Sequence, residues 1–279
     1  MGWRLEILHT TRVSYAGAAR ASYNEARMTP LALPTQTVLA TRMSLGTPAP
    51  IWTYQDYWGT TVTSFDIQEP HGELTVRAHA TVETGSPLVP ARPLPWLELR
   101  DQAARGSLLE FLAATPRTTV DSEVAASVAE RVSGADPLEA AAEIARWLRE
   151  RVSYVPGATE VQTSAQEAWD KGQGVCQDLA HLTVALLREA GLPARYVSGY
   201  LHFDPAAEPG HAVAGQSHAW VEYWTGEWVA CDPTNLAPVG ERHVIVARGR
   251  DYADVPPLKG IYHGAPSVAL EVTVEVTRL

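Results

Sequence analysis

Residues 176–191 set the strongest constraint on how this chain folds. Cys176 to Glu189 carries Leu179, Leu182, Ala185, Leu186 and Leu187 at helical spacing, and Gly191 supplies the stop. A helix this apolar is largely buried. Arg195 to Leu201, His218 to Trp224 and Glu227 to Asp232 read as strands, and Gly226 marks a hairpin between the last two. The expected class is α+β, with a helix beginning at Cys176 and strands that carry His218 and Asp232.

The flanking regions differ in character. Arg4 to Tyr15, Gly59 to Ile67 and Leu74 to Val82 read as strands, the last with Leu74, Val76, Ala78, Ala80 and Val82 on one face. Pro30, Pro34, Pro48 and Pro50 mark loops between them. Pro87, Pro90, Pro93 and Pro95 disfavour both helix interior and central strand. Residues 1–88 are therefore predicted as a β-rich N-terminal domain, 89–100 as a Pro-rich linker and 101–265 as the catalytic core. Glu98 to Val152 turns helical. Asp136 suits an N-cap and Pro137 the first helical position, and Leu138, Ala141, Ile144, Ala145 and Leu148 follow at helical spacing. That helix is expected to end near Tyr154, before Pro156-Gly157. Residues 266–279 alternate cleanly and are expected to pair, half exposed, with an earlier β element.

Composition narrows the function classes. The 279 residues are 46% hydrophobic and 19% charged, as in a globular protein with a sizeable core. A net charge of -10 and the lack of any basic run argue against nucleic acid as a partner. No stretch reads as a signal peptide or a membrane span, so a cytoplasmic protein without membrane attachment is expected. Cys176 and Cys231 are the only cysteines, which gives no disulfide framework. His71, His79, His202, His211, His243 and His263 show neither an HExxH arrangement nor paired-cysteine spacing, so neither a metal nor another cofactor is expected.

The remaining chemistry is that of a thiol. Cys176 follows Gly172-Gln-Gly174, where the backbone can approach closely, and it opens a helix whose dipole favours a thiolate there. First-turn N–H groups point toward an oxyanion formed beside the sulfur, the Cys176 N–H first among them. A buried structural cysteine is the alternative. Asp178 and His181 lie off the Cys176 face of the helix; Asp178 is expected to complement the first turn and His181 to pack behind it. The base and its orienter come from the hairpin. A loop of Trp224-Thr225-Gly226 would pair Tyr223 with Glu227 and set His218 opposite Asp232, with Cβ atoms about 5 Å apart on one face. Cys231 then points to the other face, as a core residue. Tyr154, Gln177 and Trp220 are further candidates for oxyanion or substrate contacts, with packing as their alternative role. Phe203 to Gly215, with its Pro and Gly, reads as a loop on the cleft rim.

Three motifs in this order, Gly174-Val-Cys-Gln-Asp-Leu-Ala-His181, Ser217-His-Ala-Trp220 and Cys231-Asp-Pro-Thr-Asn235, resemble the core of the transglutaminase-like superfamily, whose fold is related to papain-type cysteine proteases. Leu192-Pro-Ala-Arg-Tyr-Val-Ser-Gly-Tyr200 and Gly249-Arg-Asp-Tyr-Ala-Asp-Val-Pro-Pro257 resemble its bacterial branch, and residues 1–85 the β-rich region that accompanies the core there. The resemblance implies Cys176 as nucleophile, His218 as general base and later acid, and Asp232 as the residue that orients His218. It leaves the reaction open between hydrolysis of an amide or peptide bond, transfer of a glutamine acyl group to an amine, and binding without catalysis. The implied partner is a peptide, a protein or another amide-containing substrate.

Overall fold

The computed structural model describes residues 2–86, 93–104, 106–215 and 217–279. Pro87, and Pro90 of the predicted linker, lie outside the described residues. The chain opens with β1 (Trp3–Ala26), a strand of 24 residues that organises the larger sheet. β2 (Gln36–Leu45), β3 (Ile51–Gln55), β4 (Thr61–Ile67) and β5 (His71–Thr84) follow. The first half of β1 pairs antiparallel with β5, from Trp3↔Thr84 to Ser14↔Glu73, and its second half pairs with β4. On β5 the predicted face is the buried one: Leu74, Val76, Ala78, Ala80 and Val82 all point inward. β2 and β3 were not visible in the sequence pattern, because most of their residues are exposed and no alternation marks a face.

The prolines after β5 lead into a helix. α1 (Trp96–Ala103) begins directly after Pro95 and buries Leu99 and Ala103. The linker expected over 89–100 is thus corrected from residue 96 onward; proline is compatible with the entry to a helix, and composition alone reads such an entry as a hinge. α2 (Ser122–Arg131) and α3 (Pro137–Arg151) come next. Asp136 caps α3 by accepting from the Leu138 and Glu139 N–H groups, and Glu139 reaches back to the Asp136 N–H. α3 ends at Arg151, not near Tyr154. Val152 is extended, and Ser153–Tyr154 form β6.

α4 (Ala165–Lys171), β7 (Gln173–Gly174) and α5 (Cys176–Glu189) build the centre of the core. α5 has the predicted limits. Past its end the Gly191 N–H bonds the Arg188 carbonyl and the Leu192 N–H the Leu187 carbonyl, with Gly191 at φ 88°. β8 (Ala194–Leu201), β9 (Ala212–Gly215), β10 (Ser217–Trp224), β11 (Trp228–Cys231) and β12 (His243–Gly249) follow. β11-β10-β8-β12 form one antiparallel sheet, and α5 lies against β8 and β10. The class is α+β, as predicted.

β13 (Leu258–Gly264) and β14 (Ser267–Arg278) return to the larger sheet, where both pair with β1. β9, which the sequence reads as part of a loop, pairs with β14. On β14 only Val274 and Val276 are buried, whereas Val268, Leu270 and Val272 face solvent. The sheets meet through one continuous apolar core that joins Leu5, Ile7 and Val82 to α5 and to β8, β10 and β12. Polar clasps reinforce it. The Gln36 side chain donates to the Ile245 carbonyl at 2.8 Å and accepts from the Ile245 N–H at 2.8 Å. His9 Nδ1 and the Tyr200 hydroxyl lie 2.9 Å apart.

Candidate active site

Cys176 is the first residue of α5, and local sequence explains how it comes to stand there. The Asp178 carboxylate turns back to accept from the Val175 N–H at 2.8 Å and from the Thr159 hydroxyl. Asp178 therefore closes the first turn, as expected, and is not a base for Cys176. Gly174 is required by this return: a Cβ there would lie 2.7 Å from Asp178 Cβ. His181 points behind the helix, where its Nε2 accepts from the Tyr252 N–H at 3.1 Å and its ring packs on Tyr196. Burial, then the charges of Arg117 and Arg188, hold its pKa at about 3, so it stays neutral.

His218 stands near the start of β10 and Asp232 directly after β11. Their hairpin differs from the sequence reading by one residue per strand. The loop is Thr225-Gly226-Glu227, with Gly226 at φ 105°, and the ladder closes at Trp224↔Trp228. The rings of Trp224 and Trp228 pack edge-on at 5.6 Å, and a cross-strand aromatic pair of this kind stabilises the observed register. By this count position 232 stands across from Trp220, and His218 is its diagonal neighbour. A shift of two residues preserves the face. His218 Nε2 therefore still lies 2.9 Å from Asp232 Oδ2.

Asp232 is enclosed by donors. Its Oδ2 also accepts from Asn235 Nδ2 at 2.7 Å and faces His243 Nε2 at 3.3 Å. Its Oδ1 accepts from the Thr234 and Asn235 N–H groups at 3.0 and 3.2 Å. Burial alone would raise its pKa, but the hydrogen bonds from His218 and His243, the charge of His218 and the Asn235 bond outweigh burial and hold it well below the usual carboxylate range. For His218, burial opposes the charged ring. Asp232, and after it Cys176, outweigh it and lift the pKa to about 9. The imidazole thus lies near both a thiol and a carboxylate. With Nε2 committed to Asp232, Nδ1 is the nitrogen left for Cys176.

The surrounding residues take different places from those expected. Trp220 is fully buried, with its ring stacked on His218 at 5.8 Å and 28°. It supports the imidazole from beneath and does not line an open cleft. Gly199 on β8 makes room for it; a Cβ there would come within 2.6 Å of the Trp220 ring. Phe203 meets His218 edge-on at 5.9 Å and is 43% exposed, which puts an apolar side chain at the rim. The Gln177 side-chain amide donates to the Val161 carbonyl at 3.0 Å and so pins a loop; it is not aimed at Cys176. Tyr154 is held beside the site because β6 pairs with β7, matching Tyr154 to Gly174. Burial, then the charge of Cys176, raise its pKa, so the phenol keeps its proton. Cys231 is half-buried in the core, its thiol pushed up to about 12 by burial and then by Asp232, and both cysteines are free.

His243 and Asn235 are the site residues that sequence reasoning missed. Asn235 sits in the Asp-Pro-Thr-Asn turn, a signal that was available. Nitrogen and oxygen atoms of His218, Asp232 and His243 lie within 4.8 Å of one another, close enough to hold a metal ion. A cation there would have to displace donors that already fill Asp232 Oδ2, so the cluster fits protons better than a metal.

Residues 126–233 match the transglutaminase-like superfamily, and residues 5–83 match the bacterial transglutaminase-like N-terminal region. The chain belongs to the transglutaminase-like superfamily. Among its relatives is an uncharacterized protein of Mycobacterium leprae, 44% identical over 277 residues that cover 99% of each chain. A protein-glutamine gamma-glutamyltransferase of Pseudomonas aeruginosa is 34% identical over 139 residues, 45% of this chain and 20% of that one. A crystal structure titled "Putative Cysteine Protease", from Cytophaga hutchinsonii, superposes with a TM-score of 0.78 at 21% identity, covering 100% of this chain and 98% of the other. That likeness extends the shared fold over both the N-terminal sheet and the core.

Proposed function

We propose that this member of the superfamily is a cysteine-dependent hydrolase that opens an amide or peptide bond through a thioester on Cys176. The observation that carries the reading is His218, buried between the Cys176 thiol and an Asp232 carboxylate held ionised by its donors. In this mechanism His218 Nδ1 takes the thiol proton, and sulfur attacks the substrate carbonyl. The Cys176 N–H, in the first turn of α5, and the protonated Tyr154 phenol stabilise the oxyanion. Imidazolium then protonates the leaving amine, which departs and leaves the acyl group on sulfur. Water, deprotonated by His218, attacks the thioester and frees the acid and the thiol. Asp232 keeps the ring oriented and its Nε2 protonated throughout.

An amine in place of water gives transfer instead, the reaction in the name of the Pseudomonas relative. Both outcomes need the same thioester. The first experiment is the rate of Cys176 alkylation by iodoacetamide against pH, with peptide mapping, in the native chain and in His218→Ala. Labelling that depends on His218 supports the reading, and labelling indifferent to the substitution overturns it. Glutamine-bearing peptides with and without a primary amine then separate hydrolysis from transfer, and Cys176→Ala is expected to abolish both.

A further inference from the structure

We propose that His243 is a positioning residue for the Asp232–His218 pair, held as a single neutral tautomer whose Nε2–H clamps the Asp232 carboxylate. The inference rests on the reading of Cys176, His218 and Asp232 given above. It begins with the Gly240 N–H, which points at His243 Nδ1 from 3.2 Å. A backbone amide can only donate, so Nδ1 accepts and carries no proton. The proton of the neutral ring is then on Nε2, 3.3 Å from Asp232 Oδ2. The same turn fixes the backbone, since the His243 N–H bonds the Gly240 carbonyl at 2.9 Å. Trp220 packs edge-on against the ring at 5.3 Å.

The charged or titratable neighbours of His243 are Asp232, His218 and Arg242. Burial is the largest influence and opposes a charge on the ring, as do His218 and Arg242; only Asp232 favours one, and the net effect is a lowered pKa. A second cation here would crowd the His218 imidazolium. Neutral His243 holds the carboxylate without cancelling its charge.

What distinguishes His243 from the other donors is its origin. Thr234 and Asn235 belong to the same turn as Asp232 and hold the carboxylate locally. β11 and β12 are opposite edges of the four-stranded sheet. His243 opens β12, and Asp232 follows β11. Their bond therefore ties the Asp232 turn across the end of the sheet, past His218 on β10, one of the two intervening strands.

The test uses the full chain with His243→Leu, which removes the donor, and His243→Gln, which keeps an amide N–H in its place. Nitrogen-15 spectra of the native protein at neutral and alkaline pH should show His243 protonated on Nε2 and uncharged. Protonation on Nδ1, or a charged ring at neutral pH, overturns the proposal without reference to activity. In His243→Leu the rate of Cys176 alkylation at neutral pH should fall about fivefold to tenfold, the worth of one hydrogen bond. His243→Gln should restore it. An unchanged rate in His243→Leu, or equal loss in the two variants, overturns the clamp. Should His243→Leu not fold, the spectra and His243→Gln decide. Labelling indifferent to His218→Ala would instead strike the catalytic reading, leaving the tautomer measurement to judge the clamp alone.

Discussion

At the residue scale, His218 sets the alkaline limit of any reaction that uses it as an acid. Its folded pKa of about 9 lies above the ordinary 6.5. Its contribution to stability is therefore complete below pH 6.5 and is lost as the pH rises through about 9. The imidazolium that protonates a leaving amine disappears over the same interval, so kcat/KM is expected to fall through about pH 9. Asp232→Asn should move that limb toward 6.5 and cut turnover by about a hundredfold or more, because a neutral amide neither fixes the ring's proton nor supports its charge. A pH–rate profile of the two proteins checks this. Cys176, His218 and Asp232 were legible because each stands in a telling local context: a helix start after glycines, an alternating strand, an Asp-Pro turn. His243 was not, since it reaches Asp232 from the far edge of the sheet and no spacing in the chain links the two.

At the scale of elements, α5, β8 and the β10–β11 hairpin could be read because their burial pattern is strong and because glycines end α5 and turn the hairpin. The hairpin register could not. A three-residue loop was foreseen, but the Trp224–Trp228 contact moved it one position, and only side-chain packing decides between such neighbours. Gly199 shows the same dependence on packing. A Cβ there would stand 2.0 Å from the Val244 carbonyl oxygen and 2.6 Å from the Trp220 ring. Gly199→Ala is expected to cost about 1–3 kcal/mol or more by overpacking. Because Trp220 backs His218, the variant should also slow Cys176 alkylation at temperatures where it remains folded. Thermal melts together with labelling rates test both parts.

At the scale of the molecule, buried neutral histidines govern acid stability. Burial holds His9 at about 4 and His181 at about 3. Both folded values lie below 6.5, so this contribution is complete above pH 6.5 and is lost as the pH falls toward them. Urea unfolding should show a loss of about 2 kcal/mol per histidine between about pH 6.5 and about pH 5. A histidine replaced by glutamine should flatten the slope in proportion. His9 belongs to the N-terminal sheet and His181 to α5, so acid loosens both parts together. Sequence alone marked β-rich and helical regions but gave no sign of the Gln36–Ile245 and His9–Tyr200 clasps, whose partners are far apart in the chain. The pairing of β1 with β14, where Thr11 meets Val272, has a consequence in time. A ribosome makes β1 long before β14, so one flank of β1 stays bare until β14 is made. Nascent chains stalled before β14 should stay open to protease across β1, and protection should arrive abruptly once β14 emerges.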